Sequence, residues 1–169
     1  MTKQYITLFD TTLRDGAQTP GIDFSVEDKI AISAMLDEFG LDYIEGGYPG
    51  ANPTDTNFFS ENRTQNGKFT AFGMTKRAGI SVSNDPGIAA LLASKASAIC
   101  YVAKAWDLHV KVALGCTNEE NVEGIEASVK AAIAYAVATV VRSLIVIQAG
   151  LRLPSIVASL AGPVPSATR

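Results

Sequence analysis

TLFDTTLRDGAQTPG, residues 7–21, begins as a strand and ends as a loop full of charge. The run YITLFD at residues 5–10 is rich in β-branched and aromatic side chains, whereas the polar, glycine-containing sequence after it cannot continue a buried strand. Asp10, Arg14, Asp15 and Gln18 therefore gather just beyond a strand's carboxyl end. In α/β proteins that crevice is the usual ligand site. On spacing alone an ordinary loop with an Arg-Asp pair competes evenly with a ligand site, because surface ion pairs are common and worth little.

The chain beyond this loop alternates helix and strand. Ser25 with Asp28 three residues on forms a capping box, and apolar residues follow at Val26, Ile30, Met35, Leu36 and Phe39, which predicts a helix burying that face. Gly40 supplies a left-handed stop, and residues 42–47 predict a second strand ending in Glu45 and two glycines. PTDTNFFSENR, from residue 53, predicts a helix with Phe58 and Phe59 toward the sheet, and residues 68–73 a third strand. A helix starting at Asp85, with Pro86 in its first turn, precedes a fourth strand at residues 98–103. Residues 118–138 predict a further helix with Val122, Ile125 and Val129 on one side. Alternation of this kind implies parallel strands joined by right-handed crossovers, and it excludes a β-sandwich or a helical bundle. Periodicity does not separate an open doubly wound sheet from a barrel. The phosphate-binding glycine motifs GxGxxG and GxxxxGK[ST] are absent.

The string DTTLRDGAQ at residues 10–18 resembles the signature of the 2-isopropylmalate, homocitrate and citramalate synthases and the hydroxymethylglutaryl-CoA lyases. IEGGYPGANPTDTNFF at 44–59, AFGMTKR at 71–77 and KAWDLHVKVAL at 104–114 are similar to the citramalate synthase branch, and the resemblance covers residues 5–135. By resemblance, IEGGYPGANPTDT at 44–56 argues against a lyase of the same superfamily. The resemblance implies a metal-dependent TIM barrel that condenses acetyl-CoA with a 2-oxo acid, pyruvate in this branch, and then hydrolyses the thioester. Isoleucine biosynthesis is the setting it implies. The fold expected here is a partial TIM (β/α)8 barrel holding about the first four βα units.

Carried onto this sequence, the resemblance assigns Asp15 to the metal, Arg14 to charge stabilisation at the keto oxygen, and Glu45 to the orientation of that arginine. Gln18 is expected at the substrate or a metal-bound water. A single carboxylate donor suits magnesium or manganese and is accepted by zinc. For Arg14 the competing role is a structural salt bridge to Asp10, Asp15 or Glu45. Lys104 is expected to be solvated, and His109, the only histidine, to be a surface or satisfied residue. The family's late His-x-His metal pair has no counterpart in this sequence.

Composition narrows the partners. The chain has 169 residues, 47% hydrophobic and 18% charged, and a net charge of -3, which fits one soluble domain and argues against nucleic acid or an anionic membrane as partner. Its start, MTKQYITLFD, lacks a secretory core, so a cytoplasmic location is expected. Cys100, in an apolar run, is expected to pack as a small hydrophobe, and Cys116 has no CxxC partner.

Two segments are expected: residues 1–138 as the N-terminal half of a synthase barrel, and 139–169 as a divergent tail. After Glu126 no acidic residue occurs, and SLIVIQAGLRL gives way to a Pro-, Gly- and Ser-containing end. Arg142 and Arg152 interrupt the apolar run, short of the ~20 residues a membrane span needs. Since a closed barrel takes roughly 250 residues, four units leave open sheet edges, and a homo-oligomer is expected. Two functions follow: a citramalate synthase-like acyltransferase present as an incomplete fragment, or a non-catalytic, self-associating module.

Overall fold

The computed structural model describes residues 6–138 and 143–149. Five parallel strands form one sheet: β1 (Phe9–Asp10), β2 (Tyr43–Gly47), β3 (Lys68–Met74), β4 (Ala98–Lys104) and β5 (Ser143–Ala149). Their order in the sheet is their order in the chain, β1-β2-β3-β4-β5. A doubly wound sheet reverses direction part-way, whereas a barrel adds each strand beside the last. The sheet is therefore part of a singly wound TIM-type barrel, as the resemblance implied. Right-handed crossovers then place every connecting helix on the same, outer face.

The helices are α1 (Val26–Phe39), α2 (Pro53–Phe58), α3 (Pro86–Ala93), α4 (Asp107–His109) and α5 (Asn118–Ala138). Ser25 accepts from Asp28 N–H while the Asp28 carboxylate accepts from Ser25 N–H, which completes the expected capping box. Gly40 closes α1 at φ 91°, the left-handed conformation that a glycine adopts without strain. α2 is shorter than the sequence suggested: Arg63 Nε donates to the Phe58 carbonyl at 3.0 Å and turns the chain away after Phe58. β1 is also shorter than the six-residue run, although Leu8 still pairs through Tyr43 N–H to its carbonyl at 3.1 Å. β5 pairs with β4 from Ser143 to Ala149, within the stretch expected as a tail. Residues 150–169 lie outside the described residues.

The outer core is aromatic. Phe58, Phe59 and Phe69 are buried and meet at 4.4–5.6 Å between ring centroids, with Ile44, Ile88, Leu91 and Ile99 around them. Each such side chain contributes roughly 1.5–3 kcal/mol through burial. The rings close over Gly46, where a Cβ would stand 2.7 Å from Phe58 and 2.9 Å from Phe69, so only glycine lets β2 pass beneath them.

The inward face of α1 is a correction to the sequence reading. Ile30, Met35 and Phe39 are exposed, Phe39 at 81%, while Lys29, Ser33 and Asp37 are buried. These three polar residues lie four apart, on one face of the helix. Each has a partner there: Lys29 takes backbone carbonyls and Asp55, Ser33 the Ile30 carbonyl, and Asp37 the loop before β3. On α5, Ile125 and Val129 are buried as expected, whereas Val122 lies outside the buried face.

Candidate active site

The loop after β1 folds back through hydrogen bonds of Arg14, Asp15 and Gly16 N–H to the Thr11 carbonyl. Asp10 braces its start, accepting from Thr12 N–H and Thr12 Oγ1, both at 2.9 Å. Asp10 is thus a turn-forming residue and makes no ion pair with Arg14. The fold instead sends Arg14 toward β2. Its Nε donates to Glu45 Oε2 at 2.7 Å and its Nη1 to Asp15 Oδ1 at 2.9 Å. The guanidinium also lies over the Phe72 ring, 4.3 Å from the centroid. A carboxylate, a second carboxylate and an aromatic face together fix its plane.

The two carboxylates differ in setting. The Glu45 side chain is fully buried on β2, while that of Asp15 is 60% exposed. Glu45 Oε1 has no hydrogen-bond partner among the described residues. The buried Cys100 thiol on β4 sits in its field. Burial, with the Glu45 charge next and Arg14 pulling the other way, pushes that thiol up to about 12.

Because a thiolate is the reactive form, Cys100 is expected to resist alkylation at pH 8 while the half-buried Cys116 is modified. Peptide mapping after iodoacetamide treatment of the native chain checks this. Rapid labelling at Cys100 would contradict the buried, carboxylate-flanked setting.

Arg14 opens onto a cavity of about 420 Å³ whose wall also includes Gln18, Tyr48, Asn52, Asp55 and Phe72. Gln18 stands at the end of a single 3₁₀ turn, Gly16–Gln18, and is exposed toward this space. All four sequence-derived residues thus come together at the strand carboxyl ends: Arg14, Asp15 and Glu45 touch, and Gln18 shares the cavity wall. A larger cavity, about 880 Å³, lies beside Trp106 and carries Asp107, Glu119, Glu123 and Glu126. Its carboxylates give that cavity an acidic lining, in contrast to the one at Arg14.

Lys104 and His109 stay outside the Arg14 constellation. Lys104 ends β4, and its carbonyl accepts from Asn121 Nδ2 at 2.9 Å. His109 is exposed and packs edge-on against Trp106, with ring centroids 4.6 Å apart. Among the described residues no group of three or more His, Cys, Asp or Glu side chains converges on a point that could hold a metal. Asp15 supplies one carboxylate, with Oδ1 accepting from Arg14, and by itself does not complete a divalent site.

A protein-family model described as HMGL-like matches residues 5–149, most of the chain and all five strands. The chain belongs to the HMGL-like family. Within it, the chain is 46% identical over 128 residues to the (R)-citramalate synthase of Aquifex aeolicus, which covers 74% of this chain and 24% of that protein. It is 51% identical over 118 residues to the (R)-citramalate synthase of Streptomyces coelicolor, covering 68% and 22% respectively. The chain thus spans about a quarter of the length of these relatives. The fold is similar to the crystal structure of hydroxymethylglutaryl-CoA lyase from Pseudomonas aeruginosa. The TM-score is 0.62 at 21% identity, over 83% of this chain and 45% of that one. The HMGL-like match runs past residue 135 to the end of β5. Among the described residues no helix is long and apolar enough to cross a membrane.

The sequence reading missed Lys29, Asp55, Tyr48 and Phe72. Lys29 was hidden among apolar residues that lie on several sides of α1, some exposed and some, such as Leu36, packed against the core. Asp55 had a signal: Asn52-x-x-Asp55 is a helix-start pattern, and Asn52 Oδ1 does accept from Asp55 N–H at 2.7 Å.

Proposed function

We propose that this chain carries the arginine-centred part of a citramalate synthase-type acyltransferase site, acting on acetyl-CoA and pyruvate. The observation that supports it best is Arg14, held by a buried glutamate at the mouth of a cavity, with guanidinium donors beyond those spent on Glu45 and Asp15. In the condensation, the methyl carbon of acetyl-CoA gives up a proton and forms a bond to the keto carbon of the 2-oxo acid, and a proton taken up at the keto oxygen afterwards balances the one lost. The carbonyl electron pair moves onto oxygen. A guanidinium fixed in advance stabilises that oxyanion more than the neutral ketone, the differential binding that lowers a barrier. Water then cleaves the thioester, releasing the CoA thiol and a dicarboxylic acid.

Glu45 orients Arg14 and balances its charge. Phe72 supplies an apolar floor that raises the effect of each remaining donor, and Gln18 offers an amide to the substrate carboxylate. Asp15 is the proposed contribution to a magnesium, manganese or zinc ion. One carboxylate does not complete such a site, and the steps above rest on Arg14, Glu45 and Gln18. The proposed setting is cytoplasmic amino-acid biosynthesis.

A second reading, a non-catalytic self-associating module, draws on the β1 side of the sheet. There Ile6 and Leu8 are 74% and 49% exposed, and β1 is paired on one side among the described residues. One experiment separates the two. The purified chain is given acetyl-CoA, pyruvate and manganese or magnesium, and free thiol is followed, with Arg14→Ala and Asp15→Ala as controls. Thiol release that both substitutions abolish supports the acyltransferase. No release above the controls from a folded sample that sediments as a dimer supports the module.

A further inference from the structure

Lys29 is a lysine where the helix would be expected to bury an apolar residue. It is 3% exposed on the inward face of α1, and its Nζ donates to the Leu13 carbonyl at 2.9 Å, the Gly46 carbonyl at 2.9 Å and Asp55 Oδ1. An ammonium group has three donors and no acceptor, so its capacity is spent. The two carbonyls have meaningful positions in the chain: Leu13 immediately precedes Arg14, and Gly46 immediately follows Glu45. The third partner is itself tied down, as Asp55 Oδ2 accepts from Tyr48 N–H at 2.9 Å and Asn52 Nδ2 at 3.1 Å.

A buried ion pair is weak ground for stability, because desolvating both charges offsets most of their attraction. An apolar side chain at position 29 would fill the same space between helix and sheet. What it could not do is hold two carbonyls from separate segments on one atom. We infer that Lys29 is a positioning residue: its ammonium group joins the β1 loop to the end of β2 and so sets the geometry at which Arg14 meets Glu45. Asp55 is its counter-ion and carries the constraint on to α2. That this geometry serves catalysis rests on the acyltransferase reading; the tie itself does not.

The test follows the Arg14 Nε–H by nitrogen-15 NMR in the full chain, without substrate. In the native protein its exchange with water is expected to be slow, because it is bonded to Glu45. Lys29→Met combined with Asp55→Asn removes both charges, so that neither is left buried alone. In that variant the Arg14 Nε–H is expected to exchange at least tenfold faster. The Arg63 Nε–H, bonded to the Phe58 carbonyl at 3.0 Å, is the internal control and stays as slow as before. Equal acceleration of both signals would reveal a merely structural role, and an unchanged Arg14 signal would overturn the inference.

Should the variant not fold, the native chain decides. The Lys29 ammonium should exchange slowly and show scalar coupling to the Leu13 and Gly46 carbonyl carbons. An ammonium that exchanges like a free lysine would end the proposal. None of these signals depends on turnover, so an inactive chain with an intact tie would count against the acyltransferase reading alone.

Discussion

Replacing Arg14 with alanine should destabilise the fold by about 3–5 kcal/mol, the usual result of stripping a buried charge of its partner. Glu45 has no exposed surface on β2, and Arg14, whose Nε donates to it at 2.7 Å, is the cation paired with its carboxylate. Without that cation one oxygen would join the other as an unpaired buried acceptor. For a chain of this size the melting temperature should fall by roughly 10 °C. The cause can be isolated by adding Glu45→Gln, which removes the stranded charge. The double variant should then recover part of what Arg14→Ala lost, even though it lacks both ends of the pair. If the double variant is no more stable than Arg14→Ala, the cost lies in the lost Arg14–Phe72 contact or in loop packing, and Glu45 is better hydrated than its burial indicates. Thermal unfolding of the three proteins under one condition is sufficient.

How much of this site was legible follows from which interactions are local. Arg14 and Asp15 are adjacent in one motif, and Gln18 is one turn away. Glu45 lies 31 residues beyond Arg14, and its pairing was available only because a second motif, IEGGYPG, resembles the same family. Phe72 under the guanidinium needed β3 to be placed next to β2, which periodicity alone did not give. The barrel itself was a matter of resemblance: alternating strands and helices fit both windings, and the unbroken strand order was visible only in the sheet. The misjudged face of α1 has a different origin. Hydrophobic periodicity assumes that the buried side is the apolar one, and here the buried side holds a lysine, a serine and an aspartate, each hydrogen-bonded. A helix with apolar residues on more than one face cannot be oriented by counting them.

Asp37 turns that misreading into a measurable effect. Its carboxylate sits at the end of α1 and accepts N–H bonds from Gln65 at 2.8 Å, Asn66 at 3.1 Å and Gly67 at 2.7 Å. It thereby fixes the turn that feeds β3. Burial alone would raise its pKa, but these N–H bonds, with Gln65 and Gly67 foremost, outweigh burial and hold the carboxyl below the ordinary value. Asp37→Ala should therefore cost about 2–4 kcal/mol at pH 7, the range for losing several hydrogen bonds to a charged acceptor that water partly replaces. The sign of the pH dependence follows from the lowered pKa. The contribution is fully present above the unfolded value of about 3.9 and is lost as pH falls through the folded one. Urea midpoints for the native chain and Asp37→Ala should thus stay a constant distance apart between pH 7 and pH 5 and draw together below about pH 4. A gap that keeps its width on acidification would mean that Asp37 acts through packing, and that the turn before β3 is held by something other than its charge.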